Sequence, residues 1–132
     1  MKKAFLSVIL VCCLLLNFEI IASASETAWC WNNVAKVTHD ITFSRNVGTY
    51  SALIEGNKDV MLIIANAKLF YKNGAGNWID TEIEWRYNET SDRLSISETF
   101  SATPGKEYKV ILTAIVYQDE GEAITETIVK EY

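Results

Sequence analysis

His39 is the only histidine in the chain, and Cys30 is the only thiol beyond the apolar first stretch that holds Cys12 and Cys13. A hydrolytic triad holds its histidine between a nucleophile and a carboxylate. No Gly-x-Ser-x-Gly elbow accompanies His39. His39-Asp40 sits in a polar stretch ahead of the first expected strand, which suits an exposed or capping imidazole. A Cys30–His39 thiol–imidazole pair can be drawn, but no local signature joins the two. One cysteine and one histidine cannot close a tetrahedral zinc site. Calcium needs several converging oxygens. Asp119, Glu120 and Glu122 flank Gly121 and supply some, without EF-hand spacing, so they read as a solvated acidic turn. The residues therefore name no catalytic group, no metal ligand set and no cofactor.

Binding chemistry has better candidates. Asp80, Glu82 and Glu84 occupy alternate positions, with Thr81 and Ile83 between them, so a strand places them on one face about 7 Å apart. Such a row either meets a cationic partner or forms a charged outer face that discourages sheet-edge pairing. Trp78 shares their parity beside a glycine-rich turn, where its ring either stacks on a sugar or a cationic group or caps the end of the domain. Trp29 and Trp31 flank Cys30 and either tuck the first segment onto the core or leave a sticky patch. Asn88-Glu89-Thr90 has the form of a glycosylation sequon, but the leader below looks bacterial and no glycan is assigned.

These residues belong to a chain that opens like an exported one. Lys2 and Lys3 precede thirteen residues, Ala4 to Leu16, that are apolar except for Ser7, and Ala22-Ser23-Ala24 supplies small residues for cleavage. That run is shorter than the roughly 20 residues a membrane-spanning helix needs. Residues 1–24 are expected to be a signal peptide, and the mature protein to be secreted, with no stable membrane anchor. Cleavage leaves ten basic and sixteen acidic residues, a net charge of −6. This balance argues against nucleic acid or an anionic membrane as partner. Cys30 loses both possible partners with the leader. It is then buried and inert, free and reactive, or the link of a disulfide dimer.

Period-two alternation dominates from about residue 41. Met61, Ile63, Ala65, Ala67, Leu69 and Tyr71 mark one apolar face. Ile79, Ile83, Trp85 and Tyr87 mark another, as do Leu94, Ile96, Phe100 and Ala102, with Glu98 out of place among them. Tyr108 to Val116 forms a long alternating run, residues 123–130 a weaker one, and Ile41–Ser44 and Thr49–Glu55 two more. Turn chemistry separates the runs at Asn73–Asn77, Glu89–Asp92, Pro104-Gly105 and Asp119–Gly121. About seven short antiparallel strands of this kind describe an all-β sandwich.

The segment Phe100 to Ala114 resembles the E-to-F corner of fibronectin type III modules, where a Pro-Gly turn precedes a Tyr-x-Val-x-Val-x-Ala strand. The resemblance makes Pro104-Gly105 the corner, Tyr108 the corner tyrosine, and Val110, Leu112 and Ala114 inward residues. A tyrosine there buries its ring while its hydroxyl bonds nearby backbone. The stretch Ala67 to Trp78 looks like the C-strand hairpin of the same modules, whereas their early-strand tryptophan has no counterpart. The chain also resembles small exported bacterial proteins of unknown function in which a leader precedes one such sandwich. No activity comes with either likeness.

The expectation is thus a signal peptide (1–24), an N-terminal segment (25–40) and one immunoglobulin-like or fibronectin-like sandwich (41–132). It is expected to act as a non-enzymatic module that binds an extracellular protein or glycan through Trp78, Asp80, Glu82 and Glu84, as a monomer or a Cys30-linked dimer. The alternative is a structural or assembly protein that uses Cys30 or strand-edge pairing.

Overall fold

Alternating apolar and polar residues suit a strand with one face on a core, and seven such runs become seven strands in the computed structural model, which describes residues 31–132. They are β1 (Val34–Ser44), β2 (Val47–Gly56), β3 (Leu62–Lys72), β4 (Trp78–Glu89), β5 (Arg93–Ser101), β6 (Glu107–Tyr117) and β7 (Gly121–Glu131). All neighbouring strands are antiparallel, in one sheet of order β1-β2-β5 and another of order β4-β3-β6-β7. The protein is an all-β sandwich. The expected signal peptide, Trp29 and Cys30 lie outside the described residues, and no described helix is long and apolar enough to cross a membrane.

Strand lengths depart from the expected short elements, running from 9 to 12 residues. β1 departs most, because it starts at Val34, inside the segment assigned above to residues 25–40. Lys36, Thr38 and Asp40 look like a polar stretch because they face water from the edge of the small sheet, while Val37, His39, Ile41 and Phe43 take the inward parity. His39 is therefore neither exposed nor a cap. It is half-buried within β1, its Nδ1 lies 3.4 Å from the Tyr50 hydroxyl, and burial lowers its pKa. Met61 also departs: it precedes β3 and is 61% exposed.

The core takes Tyr50 and Ile54 from β2, Ile63 and Leu69 from β3, Leu94 and Ile96 from β5, and Val110, Leu112 and Val116 from β6. Ala65 and Ala67 on β3 and Ala114 on β6 are small, which leaves room for the large ring of Trp85, next to Ala67 in the register. Trp85 reaches from β4 across to the other sheet and stacks on Tyr50, with centroids 6.0 Å apart and planes within 4°. Dense packing of large against small side chains is what fixes the spacing of two sheets. No polar or charged residue is fully buried among the described ones. Glu98, on the inward parity of β5, is half-buried, and Tyr87 from the opposite sheet donates its hydroxyl to it.

Two turns show why their residues are there. Gly105 has φ +82°, a left-handed conformation natural to glycine. Beyond it Tyr108 is buried, and its hydroxyl accepts the Thr103 N–H at 2.8 Å. This is the hydrogen bond expected of a corner tyrosine. At the other end Glu122 accepts the N–H groups of Asn32 and Asn33 at 2.8 and 2.6 Å, and the Asn33 amide donates to the Val116 and Glu120 carbonyls. Glu122 thus fastens the start of the described chain to the β6–β7 hairpin, and its carboxylate is taken up by backbone donors.

Candidate functional site

The two outer faces of the sandwich differ in chemistry. On the small sheet the outward row is carpeted with hydroxyls, including Thr38, Thr42, Ser51, Ser95, Ser97 and Thr99. The large sheet turns outward Trp78, Phe70, Ile111, Ile64, Ile115 and Val129, with lysines between them. Ile64 and Ile115 are cross-strand partners and each is 37% exposed; Val129 is 46% exposed. Exposed apolar side chains gathered on one face are informative in a way that scattered ones are not.

Trp78 opens β4 opposite Lys72 and is half-buried on this face. Its ring carries two ammonium groups, Lys109 Nζ at 4.5 Å and Lys72 Nζ at 5.5 Å from the centroid. Lys109 also lies 4.9 Å from the Phe70 centroid, and Lys68 lies 5.9 Å from it. The cross-strand register makes this possible, because Phe70 pairs with Lys109 on one side and Asp80 on the other. Lys106, at the corner before β6, stands 4.6 Å from the Tyr71 centroid. Lys68 is bound to Asp80 at 3.0 Å and Lys72 to Glu107 at 3.4 Å. Among the described residues, Lys106 and Lys109 form no such ion pair and rest on rings alone.

The three acids expected to form one row are separated. Between Glu84 and Asp80 strand β4 carries three residues where β3 carries only Leu69, so two extra residues bulge outward. Glu82 sits in that bulge at φ 63°. The bulge is held by Thr81 Oγ1 donating to the Leu69 carbonyl at 2.7 Å and by Asp80 Oδ1 accepting the Glu82 N–H at 2.8 Å. Asp80 turns to Lys68, whose hydrogen bond holds its carboxyl below the ordinary range. Glu84 turns to Arg86 at 2.9 Å and to the Asn66 amide, and these donors lower its pKa too. Trp78 and Asp80 share the aromatic–lysine cluster, Glu84 borders it, and Glu82 stands apart on the exposed edge.

Phe70, Lys68, Lys72, Lys106 and Lys109 were not singled out by sequence. The even positions Lys68, Phe70 and Lys72 do carry a legible sign, a repeat of cation and ring on the outward parity of one strand. Lys109 belongs with them only through the β3–β6 register. Among the described residues no group of three or more His, Cys, Asp or Glu is placed to hold a metal ion.

Neither a protein-family model nor a curated sequence matches this chain. Among solved structures it is similar to the sporulation control protein Spo0M of Bacillus subtilis, with TM-score 0.46 and 11% identity over 77% of this chain and 51% of that one. It therefore spans about half the length of Spo0M. It is also similar to CsgH of R. palustris, with TM-score 0.43 and 10% identity over 73% of this chain and 90% of that one. No residue role is carried over from either.

Proposed function

We propose that this chain is a non-enzymatic binding module, acting outside the cell, which meets its partner with the outer face of the four-stranded sheet. The carrying observation is the contrast between the faces. One is mostly hydroxyls, with Val47 and Leu53 set singly among them, while the other gathers exposed Ile64, Ile115 and Val129 with half-exposed Trp78 and Phe70. Aromatic and aliphatic side chains left in water lose free energy that a partner recovers by covering them. The contact chemistry is aromatic and cationic rather than acidic, since Asp80 and Glu84 already hold cations of their own chain. A fibronectin type III-like reading of the sandwich is supported by the hydroxyl bond of Tyr108 and by β4 lying beside β3 rather than β5. The leader supports the compartment.

The test compares faces. Immobilised wild-type protein, an Ile64→Ser/Ile115→Ser variant and a Val47→Ser/Leu53→Ser variant of the small-sheet face are exposed to the native extracellular fluid. Retained material should be lost with the first variant and kept with the second, both proteins remaining folded by circular dichroism. Equal retention by all three, or none by any, refutes the proposed face.

A further inference from the structure

The ends of the sandwich carry opposite charge chemistry. Antiparallel strands send alternate turns to opposite ends. Asp59, Glu89, Asp92, Asp119, Glu120 and Glu122 gather at the end formed by the β2–β3, β4–β5 and β6–β7 turns, with Lys36, Lys58 and Arg93 as their basic neighbours. The other end holds Arg45, Lys72, Lys106 and nearby Lys109, with Glu107 and Glu131 as their acidic neighbours. In a chain of acidic pI, Arg45, Lys72, Lys106 and Lys109 thus stand together at one end, beside its outward rings. Separated charge of this kind orients an approaching anion toward one end.

The cationic end also has a recess. An open groove of about 570 Å³ runs between the Asn73-Gly74 turn and the Gly105-Lys106 corner, walled by Tyr71, Lys72 and Lys106 and also by Glu107, which Lys72 neutralises, and Glu131. Lys72 belongs both to this groove and to the Trp78 ring contact, so groove and cluster are continuous.

We infer that the Trp78–Phe70–Lys109 cluster and the adjoining Lys106 groove form a binding site for an acidic polysaccharide, a chain of sugar rings bearing carboxylates. This rests on the outer-face reading above and names the partner of that face. Trp78 and Phe70 offer flat apolar surfaces to sugar C–H faces. Lys109, held between two rings without a carboxylate of its own, turns outward to a uronate carboxylate and clears the part of each ring it covers, while Lys72 beside Trp78 and Lys68 beside Phe70 stay on their own carboxylates. Lys106 repeats the arrangement over Tyr71 one step along. An acidic peptide fits less well. The edge it would extend, β4, is interrupted by the bulge at Glu82, and the Glu82 carboxylate repels it.

Affinity electrophoresis of the purified protein through gels containing polygalacturonate tests this, with neutral dextran and poly-glutamate gels alongside. Polygalacturonate should retard the wild type, and dextran should not. Lys109→Gln, which keeps most of the stem, should weaken binding about tenfold, as should Trp78→Ala. Lys36→Gln and Lys58→Gln, far from the cluster, should leave binding unchanged. Absence of retardation by polygalacturonate, wild-type behaviour of Lys109→Gln, or equal retardation by poly-glutamate overturns the inference. If Ile64→Ser/Ile115→Ser still loses its extracellular partner while polygalacturonate fails, the outer-face proposal survives and only its ligand class falls.

Discussion

Removing the Tyr108 hydroxyl gives the sharpest reading of what holds the two sheets in register. Tyr108→Phe keeps the ring, which packs 5.3 Å from Phe100 and 5.6 Å from Phe43 between centroids. What it loses is the acceptor of the Thr103 N–H at 2.8 Å, in a part-buried corner where the chain crosses from β5 to β6. A net hydrogen bond is worth about 1 kcal/mol, and deleting one partner so that a buried donor is left unpaired costs about 1–3 kcal/mol. Partial access of water to Thr103 places the total near the low end, roughly 1.5 kcal/mol. For a domain of about 100 residues this lowers Tm by roughly 6–12 °C.

Tyr50→Phe is the control. Its hydroxyl is 3.4 Å from His39 Nδ1, too long for a strong bond, so its loss should cost less than about 0.5 kcal/mol. Urea unfolding followed by tryptophan fluorescence measures both, with the slope expected to stay constant. Equal losses for the two variants, or a Tyr108→Phe loss below about 0.3 kcal/mol, would refute the argument that the corner bond stabilises the crossover.

Three further outcomes follow from the same packing. Burial lowers the His39 pKa, so the unfolded chain takes up its proton first, near pH 6.5. Stability present above that pH should therefore decline as pH falls from about 6.5 toward the lower native value. His39→Gln should flatten the stability profile between pH 7.5 and 5.5, and a profile identical to wild type would contradict this. A Cβ at Gly48 would sit 2.2 Å from Phe100 Cζ, so Gly48→Ala should cost about 1–3 kcal/mol by overpacking. Phe100→Leu in the same protein should recover part of that loss in a double-mutant cycle. Glu122→Ala frees the N–H groups of Asn32 and Asn33. Hydrogen exchange there should accelerate about tenfold or more, while the amides of Ile63 and Val110 stay protected.

The strands of the large sheet were legible because they cover their inner face with Ile, Leu, Val and Ala and leave the outer face mixed, which period two records directly. Tyr108 and Gly105 were legible for a different reason: each does one local task that few other residues do. β1 was obscured because an edge strand of a hydroxyl-faced sheet buries little. Ile41 and Val34 are its fully buried residues, and His39 hides among polar neighbours. The Arg45-Asn46 turn was missed because two left-handed residues, at φ 49° and 64°, usually announce themselves with glycine. Glu98 looked out of place because its partner, Tyr87, belongs to the other sheet.

The candidate site was half legible for one physical reason. An odd insertion in a strand flips every later side chain to the other face, whereas an even one leaves the parity intact. The bulge of β4 contains two extra residues, so alternation still sends Trp78, Asp80 and Glu84 outward and Trp85 inward on either side of it. Neighbours, unlike faces, are not conserved by parity. Glu82 leaves the row, Asp80 falls beside Phe70 rather than Lys72, and Trp78 comes under Lys109 from a strand two places away. A row that reads as acid along one strand becomes, across three strands, a cluster of rings and ammonium groups. The ligand charge we propose for it is accordingly negative, where the acidic row alone suggested a cationic partner.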